Sequence, residues 1–219
     1  MEDILFKELL PSSVAVCEAT PHMWDTKAQP AEEAHIAKAV DKRKREFRAG
    51  RHAARRAMEQ LHSNINPSTI CILPGKKRQP LWPENIVGAI THSANHCFAA
   101  VARNTDIRSL GIDVEQADPL QENLLNMICT QEEQAWLNTL SDGLFWAKLI
   151  FSAKESVYKT YFPLCNTYLD FLEATLEIDR ENCTFTATIL VDVCANLGTQ
   201  TLQGKFAITN DFVYTAAWL

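Results

Sequence analysis

The chain has 219 residues, of which 47% are hydrophobic and 22% charged, and its formal net charge is −6. That length fits one large domain or two of roughly a hundred residues each, and the composition is ordinary for a soluble globular protein with a sizeable core. No apolar run approaches the ~18 residues needed to cross a bilayer, and the acidic opening Met1-Glu2-Asp3 is unlike a signal peptide, so a cytoplasmic protein without a membrane span is expected.

Residues 30 to 62 read as a helix: Ala, Lys, Arg and Glu dominate, and Val40, Phe47, Ala54 and Met58 recur at helical spacing. Gly50 marks a bend or break. Residues 64 to 83 carry Asn66-Pro67, Pro74-Gly75, Pro80 and Pro83 around a short strand, Ile70 to Leu73. Val87 to Ser93 and Cys97 to Ala102 read as two strands about a polar turn, and the second is expected to pair with Leu110 to Glu115 across a turn at Arg103 to Arg108. Beyond Ala117-Asp118-Pro119 the pattern is helical again. Thr130 and Glu133 have the spacing of a capping box, and residues 144 to 161 form a second long helix that Pro163 stops. Strands are expected at Ala174 to Ile178, Phe185 to Val191, Gly204 to Thr209 and Phe212 to Trp218.

Each half thus holds one long helix, some strands and a loop region, which predicts an α+β fold of two halves, residues 1–105 and 106–219. The seven cysteines, Cys17, Cys71, Cys97, Cys129, Cys165, Cys183 and Cys194, contain no Cys-x-x-Cys. Neither a zinc ribbon nor a redox motif is indicated, and reduced, mostly buried thiols are expected.

Charge is concentrated in one place. Between Lys38 and Arg56 stand nine Lys or Arg against Asp41 and Glu46, a local +7 that leaves −13 for the remainder. One basic segment in an acidic chain suggests a local anion site and argues against a surface that coats nucleic acid. A guanidinium fork binds phosphate bidentately, although a solubilising helix face is the more ordinary reading for any single arginine here. Gly75-Lys76-Lys77-Arg78 could cradle a phosphate or be an exposed loop, and His92 at a strand end could be a structural hydrogen-bonder. There is no Gly-x-x-x-x-Gly-Lys-Ser/Thr, Gly-x-Gly-x-x-Gly, Gly-x-Ser-x-Gly or His-Glu-x-x-His.

Asp113 and Glu115 lie two apart in the strand-like Ser109 to Glu115, so their side chains share a face. Two carboxylates on one face are tolerated if solvated or if a hard cation sits between them. Glu155 could complete an oxygen-ligand set for Mg²⁺, or form an i,i+4 ion pair with Lys159 worth only ~0.3–0.5 kcal/mol. A nearby lysine would hold the Glu155 carboxyl low and ionised.

The order of these pieces carries a resemblance. Phe47-Arg48-Ala49-Gly50-Arg51-His52-Ala53-Ala54-Arg55 is followed by Gly75-Lys76-Lys77-Arg78-Gln79-Pro80-Leu81-Trp82-Pro83, Thr91-His92-Ser93, Gly111-Ile112-Asp113-Val114-Glu115 and Phe151-Ser152-Ala153-Lys154-Glu155-Ser156-Val157-Tyr158-Lys159. Over roughly residues 38 to 170 the chain resembles the larger, pseudodimeric 4'-phosphopantetheinyl transferases, and is most similar to the enterobactin synthase component D group. The resemblance implies two similar α+β halves forming a pseudodimer. It implies transfer of the phosphopantetheine arm of coenzyme A to a serine of an acyl, peptidyl or aryl carrier protein, with release of adenosine 3',5'-bisphosphate. Asp113 and Glu115 would bind Mg²⁺, with Mn²⁺ as an alternative, beside the carbonyl of Val114. For Glu155 the resemblance implies a further metal ligand, the general base for the carrier serine, or both. Lys154 and Lys159 would neutralise charge on the breaking diphosphate. Thr91, His92, Arg43 and Arg51 would hold the 3'-phosphate and nearby groups of coenzyme A, and Lys76 and Lys77 would border its adenine end. A monomer is expected. Phe151 and Ser156 depart from the tryptophan and alanine frequent in the family.

Overall fold

Two antiparallel sheets, each crossed by one long helix, make up the computed structural model, which describes residues 3–61, 66 and 69–219. The chain divides into two compact units, one of Met1–Lys7 with Pro11–Arg108 and one of Glu8–Leu10 with Ser109–Leu219.

The first unit takes in most of α1 (Asp3–Leu9), then β1 (Ala15–Glu18), α2 (Pro21–Asp25), α3 (Pro30–Ile36), α4 (Asp41–Gln60), β2 (Ile86–Ser93) and β3 (His96–Arg103). Its sheet has the order β1-β3-β2. Ala49, Ala53, Ala54 and Ala57 of α4 are fully buried in one core with Cys97, Ala99 and Val101 of β3. Small residues on both surfaces let helix and strand approach closely.

The single helix expected over 30–62 is two helices. Residues 37–40 separate them, with Val40 extended just before α4. Gly50 does not break α4, because it is helical and faces Ile90: a Cβ there would lie 2.8 Å from Ile90 Cγ2. The last two positions expected in that helix, Leu61 and His62, fall respectively just past its end and outside the described residues, as does Pro67 of the Asn66-Pro67 turn.

The expected strand at Ile70 to Leu73 does not form. Its backbone is claimed by side chains of the helices instead: Ile72 N–H donates to Glu32 Oε1 at 2.7 Å, and Ile72 O accepts from Arg51 Nε at 2.6 Å. An isolated bridge between Pro74 and Pro80 closes the following turn.

In the second unit, β4 (Leu110–Gln116), α5 (Leu125–Ile128), α6 (Gln131–Leu137), α7 (Gly143–Cys165), β5 (Ala174–Asp179), β6 (Thr184–Ile189), β7 (Thr201–Ile208) and β8 (Phe212–Trp218) follow one another, and the sheet order is β4-β8-β7-β6-β5. The expected pairing of β3 with β4 is not made. β1 takes the second edge of β3, from Ala15↔Val101 to Glu18↔Phe98, and β4 pairs with β8, from Leu110↔Trp218 to Gln116↔Phe212. The sequence reading missed β1, whose four residues are too short to show a period.

α7 runs past the proline expected to stop it. Pro163 lies in the last turn, where it forfeits a single intrahelical bond, and Asn166 closes the end in the left-handed region at φ 52°. Cys165, the last residue of α7, is disulfide-bonded to Cys194, with 5.5 Å between their Cα atoms. This corrects the expectation that all thiols are reduced. Of the free cysteines, Cys17, Cys97 and Cys129 are buried, and Cys71 and Cys183 are exposed.

Candidate active site

Three small polar residues of α7, Ser152, Ser156 and Thr160, recur every four positions and are fully buried. They let the helix settle against β4 and β8. Thr215 Oγ1 donates to Ser152 O at 2.9 Å, Thr160 Oγ1 lies 3.1 Å from Ala217 O, and Ser109 Oγ donates to Thr160 O at 2.6 Å. Gly111 makes the approach feasible, since a Cβ there would lie 2.0 Å from the backbone oxygen of Ser156. Gly111, Asp113 and Glu115 alternate along one face of β4, the face that meets α7.

Asp113 is therefore not the exposed strand end that one sequence reading allowed; only 4% of it is accessible. Ser152 Oγ donates to its Oδ2 at 2.9 Å, and Lys159 Nζ donates to its Oδ1 at 2.7 Å and to Ile112 O at 3.0 Å. Lys159 is thus committed to β4 rather than to the short i,i+4 pair with Glu155. Glu115 has a lysine that the sequence reading overlooked: Lys148 Nζ lies 4.0 Å from its carboxylate and 3.0 Å from that of Asp118.

The carboxylates feel one another. Burial first, then the charge of Asp113, pushes the Glu115 carboxyl up to about 7, and Glu155 adds to this against the opposing pull of Lys148 and Lys159. The Glu155 carboxyl is also raised, by burial first and by Asp113 further down, with Lys159 opposing. The expectation that a neighbouring lysine would hold Glu155 low is corrected, because desolvation outweighs the lysine. Among the described residues, no three His, Cys, Asp or Glu side chains converge closely enough to form a ready-made ligand set. The donor chemistry nonetheless suits a hard divalent cation, since poorly solvated carboxylates that raise one another's proton affinity gain from one.

Lys154 stands differently from its expected place on a diphosphate. It is 3% exposed, and its ammonium donates to Glu133 Oε2 at 2.7 Å, Ile128 O at 2.8 Å and Phe171 O at 2.8 Å. An ammonium has three protons, so all are committed. Burial lowers its pKa, while the Glu133 carboxylate opposes that fall. Glu133 itself joins the expected capping box, accepting from Thr130 N–H at 2.7 Å, and also accepts from Leu176 N–H at 2.8 Å.

In the first unit, most of the apparent +7 is neutralised by acids from outside the basic segment. Arg45 pairs with Asp25, Arg48 with Glu33, Arg55 with Glu32 and Arg56 with Glu59, at 2.9, 2.7, 2.8 and 2.6 Å. Linear spacing does not reveal this, although Glu32-Glu33 beside an arginine-rich helix is a sequence signal for it. Arg51 makes no ion pair among the described residues. It is 6% exposed and its guanidinium carbon stands 4.1 Å from the centre of the Phe47 ring. Burial pushes its pKa down to about 10. Arg43 Nη1 lies 3.3 Å from His92 Nε2 and 3.6 Å from Glu46, whose carboxylate is also 3.7 Å from His92. Thr91 is buried next to His92 on β2. Lys76 and Lys77 are exposed in a turn that Gly75 N–H closes on Gln79 O at 2.8 Å.

Comparison with known proteins matches residues 31–102 to the 4'-phosphopantetheinyl transferase N-terminal domain and residues 109–212 to the 4'-phosphopantetheinyl transferase superfamily. The 4'-phosphopantetheinyl transferase Npt of Nocardia iowensis is 37% identical over 97% of this chain and 98% of its own length. The 4'-phosphopantetheinyl transferase Svp of Streptomyces mobaraensis is 41% identical, covering 85% of this chain and 76% of its own. Enterobactin synthase component D of Salmonella typhimurium, from the group expected to be most similar, is 36% identical over 55% of this chain and 49% of its own. On these matches, which span both units, the chain belongs to the 4'-phosphopantetheinyl transferase family.

Proposed function

We propose that this chain moves the 4'-phosphopantetheine arm of coenzyme A onto a serine of an apo carrier protein in a Mg²⁺-dependent reaction, releasing adenosine 3',5'-bisphosphate. The observation that carries the chemistry is the β4–α7 contact, where Lys159 reaches Asp113 at 2.7 Å and the charge of Asp113 raises the proton affinity of both Glu115 and Glu155. Phosphoryl transfer asks for positioning and charge stabilisation more than covalent chemistry.

Asp113, Glu115 and Glu155 would hold the divalent ion, with the Val114 carbonyl beside it; when bound it would neutralise charge on the diphosphate. Glu155, its proton affinity raised by burial, is suited to accept the serine proton as the Oγ–P bond forms and the P–O bond to the nucleotide breaks. Lys159 supplies a positive charge at the same place and offsets what develops on the departing oxygen. Arg43, Arg51, Thr91 and His92 are assigned to the phosphates of the nucleotide end. Arg51 supports this best: a buried guanidinium with no carboxylate partner among the described residues gains from an arriving anion. Lys76 and Lys77 are assigned to the adenine side. Carriers of siderophore, peptide or polyketide synthesis are the substrate class proposed, and the likeness to enterobactin synthase component D supports the first of these.

The test is incubation with CoA, Mg²⁺ and a panel of apo carrier proteins, read by intact mass. The parent should label a carrier, and Asp113→Ala and Glu155→Ala should fold but label at least ~10²-fold more slowly. Folded variants that label at the parent rate would remove the metal and base assignments.

A further inference from the structure

Lys154 and Glu133 form a buried ion pair, and none of the three hydrogen bonds of the lysine ammonium goes to Asp113. Their side chains are 2% and 1% exposed. Pairs of this kind contribute little net stability, because desolvation offsets their attraction, and apolar replacements of similar volume often do as well. What such a pair supplies is direction. The three bonds of Lys154 reach the end of α5 at Ile128, the first turn of α6 through Glu133, and Phe171 in the turn before β5. The second carboxylate oxygen of Glu133 receives the Leu176 N–H of β5, so one ionic node gathers four segments around a single position of α7. The next residue along α7 is Glu155, and Lys159 follows on the succeeding turn. Any change in the depth or rotation of α7 at Lys154 is passed directly to both.

We propose that the Lys154–Glu133 pair is a positioning device that sets where Glu155 stands for proton abstraction, and that Lys154 does not touch the diphosphate. This rests on the transferase reading above. Glu155 is then aligned by charge-assisted bonds behind it, on the side of the helix turned away from β4. The lysine and glutamate act through Glu155, not on coenzyme A.

A double-mutant cycle tests this with Lys154→Met, Glu133→Gln and the two together, measuring kcat and KM for CoA by carrier labelling and melting by circular dichroism. Each single variant should lose about 10²-fold in kcat. KM for CoA should stay within about threefold, and the double variant should be no slower than the worse single, because the residues act as a unit. A large rise in KM for CoA with Lys154→Met, while Glu133→Gln keeps the parent kcat, would show that the lysine serves the diphosphate and would overturn the proposal. So would a folded double variant with the parent kcat. If these variants do not fold, Glu133→Asp keeps both charges but draws the carboxylate back by one methylene; it should lower kcat at unchanged KM, and parent kcat in it refutes the idea. Labelling by the parent decides the transferase reading separately.

Discussion

Replacing Gly111 by alanine tests the β4–α7 contact without altering any charged group. The added Cβ would lie 2.0 Å from Ser156 O and 2.9 Å from both Lys159 Cβ and Thr160 N. Two of those obstacles are helix backbone, which cannot rotate aside as a side chain can. An ordinary carbon–oxygen contact is ~3.3 Å or more, so strand and helix must separate locally by about 1.3 Å. Overpacking of this kind costs about 1–3 kcal/mol, and backbone obstacles place it at the upper end. For a chain of this size about 3 kcal/mol corresponds to a fall in Tm of about 6–12 °C. The same displacement draws Ser152 and Lys159 away from Asp113, whose bonds to them are 2.9 and 2.7 Å. A misplacement of about 1 Å at a reacting centre costs about 10²-fold in rate. Thermal melting and carrier labelling measure the two effects. A Gly111→Ala protein that melts with the parent and labels as fast would refute the claim that close approach of α7 builds the site.

Two further outcomes follow from the pairing pattern. Arg48 forks onto Glu33 with bonds of 2.8 and 2.7 Å, and that interaction, aided by the Ala28 N–H, holds the Glu33 carboxyl down to about 2 against an ordinary 4.5. Its contribution to stability is therefore complete above about pH 4.5 and lost as pH falls toward 2; Glu33→Gln should flatten that part of the stability profile in urea titrations, and an unchanged slope would count against the pair. Cys194→Ser should leave the fold intact but lower stability by up to about 3–4 kcal/mol through loss of a cross-link spanning 29 residues, and alkylation of the unreduced, denatured parent should modify five of seven cysteines; seven modified cysteines would exclude the cross-link.

Local pattern in the amino-acid order was enough for β2, β3, β8, the capping box of Thr130 and Glu133, and the shared face of Asp113 and Glu115. Strand alternation and helix capping involve neighbours within four residues, so they leave a trace in the sequence itself. The recurring motifs from the basic helix to Lys159 likewise pointed to the family. What folding alone decided was partnership. Lys154 and Lys159 are both lysines on one helix, yet one is locked onto Glu133 and two carbonyls and the other meets Asp113. The nine cations of residues 38–56 looked like one anion site until Asp25, Glu32, Glu33 and Glu59 arrived to pair with four of them. The Ile70 to Leu73 strand vanished because Glu32 and Arg51 took the backbone groups of Ile72. In each case the deciding energy is a hydrogen bond or charge pair between groups distant in sequence, made strong by burial that only the packed chain provides.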